Sequence, residues 1–154
     1  MNSTAPLLEV TNLVKHFPIK GGIFGREVAR VQAVNGVSLK MPSSSTIGLV
    51  GESGCGKSTL GRTILRLYEP TSGSIAFEGK DITKLAPAEM RKMRRQMQII
   101  FQDPYSSLNP RMTVGAILQE PFEIHGMGTK RELKKEIDTL LETVGLPSEA
   151  ADRY

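Results

Sequence analysis

Gly51-Glu52-Ser53-Gly54-Cys55-Gly56-Lys57-Ser58 reads as G-x-x-x-x-G-K-[ST] without a gap, and this stretch decides what kind of fold the chain adopts. Its glycines let the backbone wrap closely around phosphate oxygens, in dihedrals that a β-carbon forbids. Successive N–H groups then form an anion nest, and a helix beginning near Ser58 adds the positive end of its dipole. Lys57 is the residue to reach the β- and γ-phosphates, and the Ser58 hydroxyl, followed by Thr59, is the ligand for Mg²⁺. With glycine at about 7% of ordinary sequences, a chance match in a chain this long is on the order of one in a hundred. The expected ligand is a nucleoside triphosphate with its metal, read as Mg-ATP. Cys55 is read as a loop residue whose backbone matters. A neighbouring lysine and helix start could make its thiol reactive, but a redox role is not expected.

The flanks supply the setting the motif requires. Thr46-Ile47-Gly48-Leu49-Val50 is an apolar run without polar alternation, the pattern of a strand buried on both faces of a parallel sheet. Downstream, Leu60, Ile64, Leu67 and Tyr68 recur at helical spacing, and Glu69-Pro70 is expected to end that helix. Upstream, Leu8 to Val14 suggests a strand ending near Phe17-Pro18, and Val28 to Leu39 a second, with a glycine-rich loop from Lys20 to Arg26 between them. Asn35-Gly36 is placed to turn or bulge the second strand. Glu78-Gly79, between Ile75, Phe77 and Ile82, marks a small hairpin, and Pro87 a helix start.

Met97 to Phe101 reads as another buried strand, and Gln102 to Arg111, with Asp103-Pro104 and Asn109-Pro110, as a loop. Thr113 to Leu118 is expected to be a short helix stopped before Pro121. The clearest helix follows. Thr129 and Glu132 suggest a capping box, Leu133, Ile137, Leu140, Leu141 and Val144 one apolar stripe, and Gly145 with Pro147 the stop. Residues 1–7 read as a flexible arm.

Composition narrows the class. A chain of 154 residues has room for one domain, and 39% apolar with 23% charged residues is ordinary for a globular protein. No run approaches the roughly 18 apolar residues that span a bilayer, and the first residues lack the regions of a signal peptide. The single cysteine rules out an internal disulfide, and a cytosolic setting is expected. The formal charge is +4, and part of it is concentrated in Arg91-Lys92-Met93-Arg94-Arg95. Without interleaved aromatics to stack bases, that run reads as the solvated face of a helix, and no nucleic-acid partner is expected.

Several stretches together resemble the N-terminal part of an ABC-transporter ATP-binding subunit of the oligopeptide/dipeptide (and nickel) importer group. They are Leu8-Glu9-Val10 with Leu13, Ala33-Val34-Asn35-Gly36-Val37-Ser38, Gly48 to Thr59, and Ile99-Ile100-Phe101-Gln102-Asp103-Pro104-Tyr105-Ser106-Ser107-Leu108-Asn109-Pro110-Arg111-Met112-Thr113. The resemblance runs from Leu8 to Tyr154 and implies an α/β fold. That fold has a RecA-like P-loop core, an N-terminal antiparallel β subdomain and the start of a helical subdomain. It implies an ATP hydrolase energising peptide import at the cytoplasmic side of the cell membrane. Its partners would be membrane-spanning permease subunits and a second ATP-binding subunit, identical or not, with a substrate-binding protein acting indirectly.

The resemblance also gives residues their roles. Phe17 matches the aromatic that stacks on adenine, the alternative being a strand-end core residue. Gln102 matches the glutamine that contacts Mg²⁺ and the attacking water, so that Lys57 and Gln102 carry the catalytic expectation and Ser58 and Gln102 the metal. The sequence departs from the family at Ser44-Ser45, where Gly-Glu is usual, and at Asn35, where Asp is common. The serine-glycine-glycine signature, the strand ending in Asp-Glu and the switch histidine are not among these residues, and neither His16 nor His125 sits in a comparable setting. On their own, these residues are therefore expected to be poorly stable and at best a weak nucleotide binder. A truncated product that binds without hydrolysing, and a P-loop ATPase serving nucleic acid, stand as the alternative readings.

Overall fold

A computed structural model describes residues 6–22, 25–103 and 105–154. Parts of three expected features, the arm at 1–7, the loop at 20–26 and the loop at 102–111, lie outside them. The chain divides into two units, Met1–Met97 and Gln98–Tyr154.

The first unit is built on an antiparallel sheet of order β2-β1-β3-β4, formed by β1 (Leu8–Gly21), β2 (Arg26–Met41), β3 (Ser72–Phe77) and β4 (Lys80–Asp81). Leu8 and Val10 point to the core by strand alternation, yet so does Leu13, three residues on. The parity changes because β1 carries one extra residue between Val10 and Leu13, where Asn12 takes φ 47 and its N–H bonds the Ser38 hydroxyl. A compensating extra residue follows in β2, between Val37 and Val34, where Asn35-Gly36 was expected to disturb the strand. Glu78 and Gly79 both take positive φ, as a type I′ turn requires, and join β3 to β4. Both hairpin strands run further than the alternation indicated, to Gly21 and from Arg26.

On this sheet pack helices α1 (Lys57–Ile64) and α2 (Pro87–Met93). Leu60 and Met90 enter a core with Val10, Leu13, Val34, Ile75 and Ile82. α1 stops earlier than Glu69-Pro70. Arg66 takes φ 51, and the N–H groups of Leu67 and Arg66 bond the carbonyls of Arg62 and Thr63 at 2.8 and 3.0 Å, a Schellman closure. Glycine usually fills that left-handed position; here an arginine is held there by its side chain. Its guanidinium donates to the carbonyls of Ile82 and Leu85, each at 2.9 Å, and forks onto both oxygens of Glu69 at 2.8 and 2.7 Å.

Two expected strands are not found. The apolar runs 46–50 and 97–101 join no sheet among the described residues, and Val50 and Ile100 are 93% and 91% exposed. A strand buried on both faces exists only where a neighbour completes its hydrogen bonds and helices cover it, and an apolar run cannot supply those itself.

In the second unit, α3 (Val114–Ile124) runs through Pro121 instead of stopping before it. Thr113 caps its start by accepting from Ala116 N–H, and Val114 and Leu118 pack on Ile137, Leu141 and Ala150, so capping and burial outweigh the lost proline donor. α4 (Lys130–Thr143) begins with the expected capping box. The Glu132 carboxylate accepts the Thr129 N–H at 2.7 Å and its hydroxyl at 2.8 Å. Leu133, Ile137 and Leu141 are buried, whereas Leu140 and Val144 of the expected stripe are exposed, because only the i, i+4, i+8 line faces α3 and the 3₁₀ helix Ser148–Asp152.

Two outcomes follow from these contacts. Arg66→Ala removes two part-buried bonds to the Ile82 and Leu85 carbonyls and leaves a left-handed alanine, so the chain should lose about 2 kcal/mol in thermal or urea unfolding. The Thr129 N–H first, then its hydroxyl, hold the Glu132 carboxyl below its usual range. Its contribution is therefore fully present above the ordinary glutamate range and is lost as pH falls through the depressed folded value. Hydrogen exchange of the first turn of α4 should accelerate in that acid window, and Glu132→Ala should abolish the pH dependence.

Candidate functional site

The loop from Gly51 to Gly56 leads directly into α1, with Gly56 as its N-cap. Gly54 and Gly56 take φ 82 and 97, in the left-handed region the motif calls for. At Gly56 the demand is steric as well, since a β-carbon there would stand 2.1 Å from the Ala33 carbonyl oxygen in β2. The Gly56 carbonyl accepts Leu60 N–H at 2.8 Å, starting the helix, and Leu60 seats that helix in the core. No acidic residue occupies the first turn of α1, so nothing there opposes an anion at its positive end.

Lys57 folds back across the loop. Its ammonium donates to the carbonyls of Gly51 at 2.7 Å and Glu52 at 2.6 Å, and lies 3.6 Å from Cys55 Sγ. Glu52 and Ser53 are exposed, and the Cys55 N–H closes on the Glu52 carbonyl at 3.4 Å. Ser58 is exposed in the first helical turn, while Thr59 is half-buried and its carbonyl accepts the Thr63 hydroxyl at 2.7 Å.

A cleft of about 260 Å³ lies between Ala33, Val34 and Val37 of β2 and Cys55, Gly56 and Lys57. That is below the volume of sites that enclose whole small molecules, and Leu49, Val50 and Leu60 make much of its remaining lining apolar. The β2 side of this cleft escaped sequence reasoning, since Ala33 is an extra residue of β2 between the pairs Lys15–Val34 and His16–Gln32 and no local signal gives its approach to Gly56. No group of three or more His, Cys, Asp or Glu that could hold a metal occurs among the described residues. Mg²⁺ here would depend on a hydroxyl such as that of Ser58 together with phosphate oxygens, the usual mode for this ion.

Phe17 lies in β1 of the same unit, half-buried and paired with Val31. Gln102 is exposed and belongs to the second unit. That unit holds a larger cleft, about 620 Å³, between α3, α4 and the 3₁₀ helix. Asp138, Glu149 and Asp152 against Lys134 make it acidic, and it has no glycine cradle, so it is not a phosphate site.

Residues 34–154 match the family described as ABC transporter, and the chain belongs to that family. Its fold is an incomplete α/β P-loop fold of ATP-binding cassettes, with the phosphate loop and α1, the antiparallel β subdomain and the start of the helical one. The chain is 50% identical over 149 residues to the oligopeptide transport ATP-binding protein AppF of Bacillus subtilis (strain 168), aligning 96% of itself with 45% of that protein. To the glutathione import ATP-binding protein GsiA of Pectobacterium atrosepticum it is 47% identical, covering 97% of this chain and 24% of that one. Its structure resembles the ATP-binding cassette MJ0796 in a dimeric post-hydrolysis state bound to ADP and Pi, with TM-score 0.73 and 25% identity over 95% of this chain and 60% of that one. The chain thus spans less than half the length of these curated relatives.

Gly56→Ala should cost about 2 kcal/mol or more in thermal unfolding, because dihedral and space both forbid the methyl group. Gly54→Ala, with nothing within 4 Å of the added carbon, should cost about 1 kcal/mol.

Proposed function

We propose that this chain is the N-terminal part, residues 8–154, of an ATP-binding subunit that energises peptide import. It holds Mg-ATP by its phosphates in the loop Gly51–Ser58. The observation that carries the reading is that loop, left-handed at Gly54 and Gly56, seated on the start of α1, with Lys57 drawn across it. Lys57 and the loop amides bind the phosphates, the Ser58 hydroxyl ligates Mg²⁺, and Phe17 offers a ring for the adenine. Gln102 is assigned to the metal and the attacking water on family grounds. The bound metal, when present, neutralises charge on the phosphate oxygens.

The peptide assignment rests on the relatives' roles in oligopeptide transport and glutathione import. The partners that follow are membrane-spanning permease subunits and a second ATP-binding subunit, with the protein peripheral on the cytoplasmic side of the membrane. No helix among the described residues is long and apolar enough to cross a membrane.

Titration with Mg-ATP tests the site. Lys57→Ala should weaken binding at least tenfold, since charge-assisted contacts to phosphate are lost. Gln102→Ala should bind nearly as the parent does and slow hydrolysis in the assembled transporter. Equal affinity of Lys57→Ala and parent would refute the phosphate-loop assignment.

A further inference from the structure

The helix whose N-terminus carries the phosphate loop leads, just past its C-terminus, to an aromatic contact. Tyr68 meets Phe17 at right angles, with ring centroids 5.2 Å apart and planes at 89°. Arg62, in the last turn of α1, fixes Tyr68 in turn. Its guanidinium donates to the phenol oxygen at 3.2 Å and lies 5.9 Å from the ring centroid. The ammonium of Lys15 sits 4.8 Å from the Phe17 centroid and donates to the Glu69 carbonyl at 2.8 Å. Tyr68 and Lys15, which both meet the Phe17 ring, are thus held by Arg62 and by the Glu69 carbonyl.

That turn is itself stiff. The Schellman closure ties Arg66 and Leu67 back to α1, and the Arg66 fork holds Glu69 while bonding the Ile82 and Leu85 carbonyls. A ring on an exposed hairpin would otherwise sample several rotamers, and each would present a different surface to a base.

We infer that Tyr68 is a positioning residue for Phe17, so that α1 sets the separation between the phosphate cradle at its start and the base platform beyond its end. This rests on the nucleotide-binding reading of the loop and of Phe17. Tyr68 touches neither phosphate nor metal in this scheme; it fixes where the base is received. Its removal should lower affinity for a ligand with a base and spare one that has only phosphates. A purely packing role would lower both alike.

The test compares Mg-ATP with Mg-tripolyphosphate binding to the full chain by calorimetry, in parent, Phe17→Ala, Tyr68→Leu and Tyr68→Phe. The parent should prefer ATP, and Phe17→Ala should lose that preference. Tyr68→Leu should cut the ATP-to-tripolyphosphate affinity ratio about fivefold, the scale of an aromatic pair. Tyr68→Phe, which keeps the ring and loses the Arg62 bond, should recover most of it. A parent-like ratio in Tyr68→Leu, or equal loss of both ligands, overturns the positioning role while leaving the proposed function intact. An unchanged ratio in Phe17→Ala removes the base platform and this inference together. Failure of the parent to bind either ligand overturns the proposed function itself.

Discussion

The close approach of Gly56 to the Ala33 carbonyl is the constraint on which the first unit depends. It brings the backbone of the phosphate loop against β2 with no room for a side chain between them. Because α1 starts at the next residue, that approach also fixes the axis of the helix, the depth of Leu60 in the core and the origin of Lys57. A glycine loop is conformationally costly in isolation. Seated on a sheet by a contact of this kind, it becomes a fixed surface for an anion, as preorganised recognition of phosphate demands.

Ala33 is free to receive that contact because it is an extra, unpaired residue of β2, between the pairs Lys15–Val34 and His16–Gln32. One extra residue in β1 at Asn12 and another in β2 at Asn35-Gly36 cancel, so pairing resumes with apolar residues still facing the helices. The far end of α1 is secured differently, by an arginine in a backbone position that glycine normally takes. Its side-chain bonds to Ile82, Leu85 and Glu69 offset the left-handed conformation. The helix is two turns long, yet both its ends are held by groups distant in sequence.

Much of this was legible in the sequence where chemistry is local. The phosphate loop, the hairpin turn at Glu78-Gly79, the proline start of α2 and the capping box of α4 each depend on residues within a few positions of one another. What could not be read depends on distant partners. Leu13 breaks the alternation of β1 because of a bulge that no local residue announces. Thr46–Val50 and Met97–Phe101 have the composition of buried strands, but composition does not supply a neighbouring strand. Pro121 marks a helix stop by local rule and is overridden by the packing of Val114 and Leu118. Tyr68 reads as one more apolar position on a helical stripe, whereas the chain leaves the helix before it and turns it towards Phe17.

The placement of the first core also bears on how the protein is made. Every buried member of that core falls between Leu8 and Met90, and the second cluster begins only at Val114. The sheet, α1 and α2 can therefore close on the emerging polypeptide while later residues are still being added, at synthesis rates of about 5–20 residues per second. Within that interval both strands of the β1–β2 hairpin have emerged before Lys57 leaves the ribosome. The strand that receives the glycine loop is thus synthesised ahead of the loop itself, so their contact waits on no later residue.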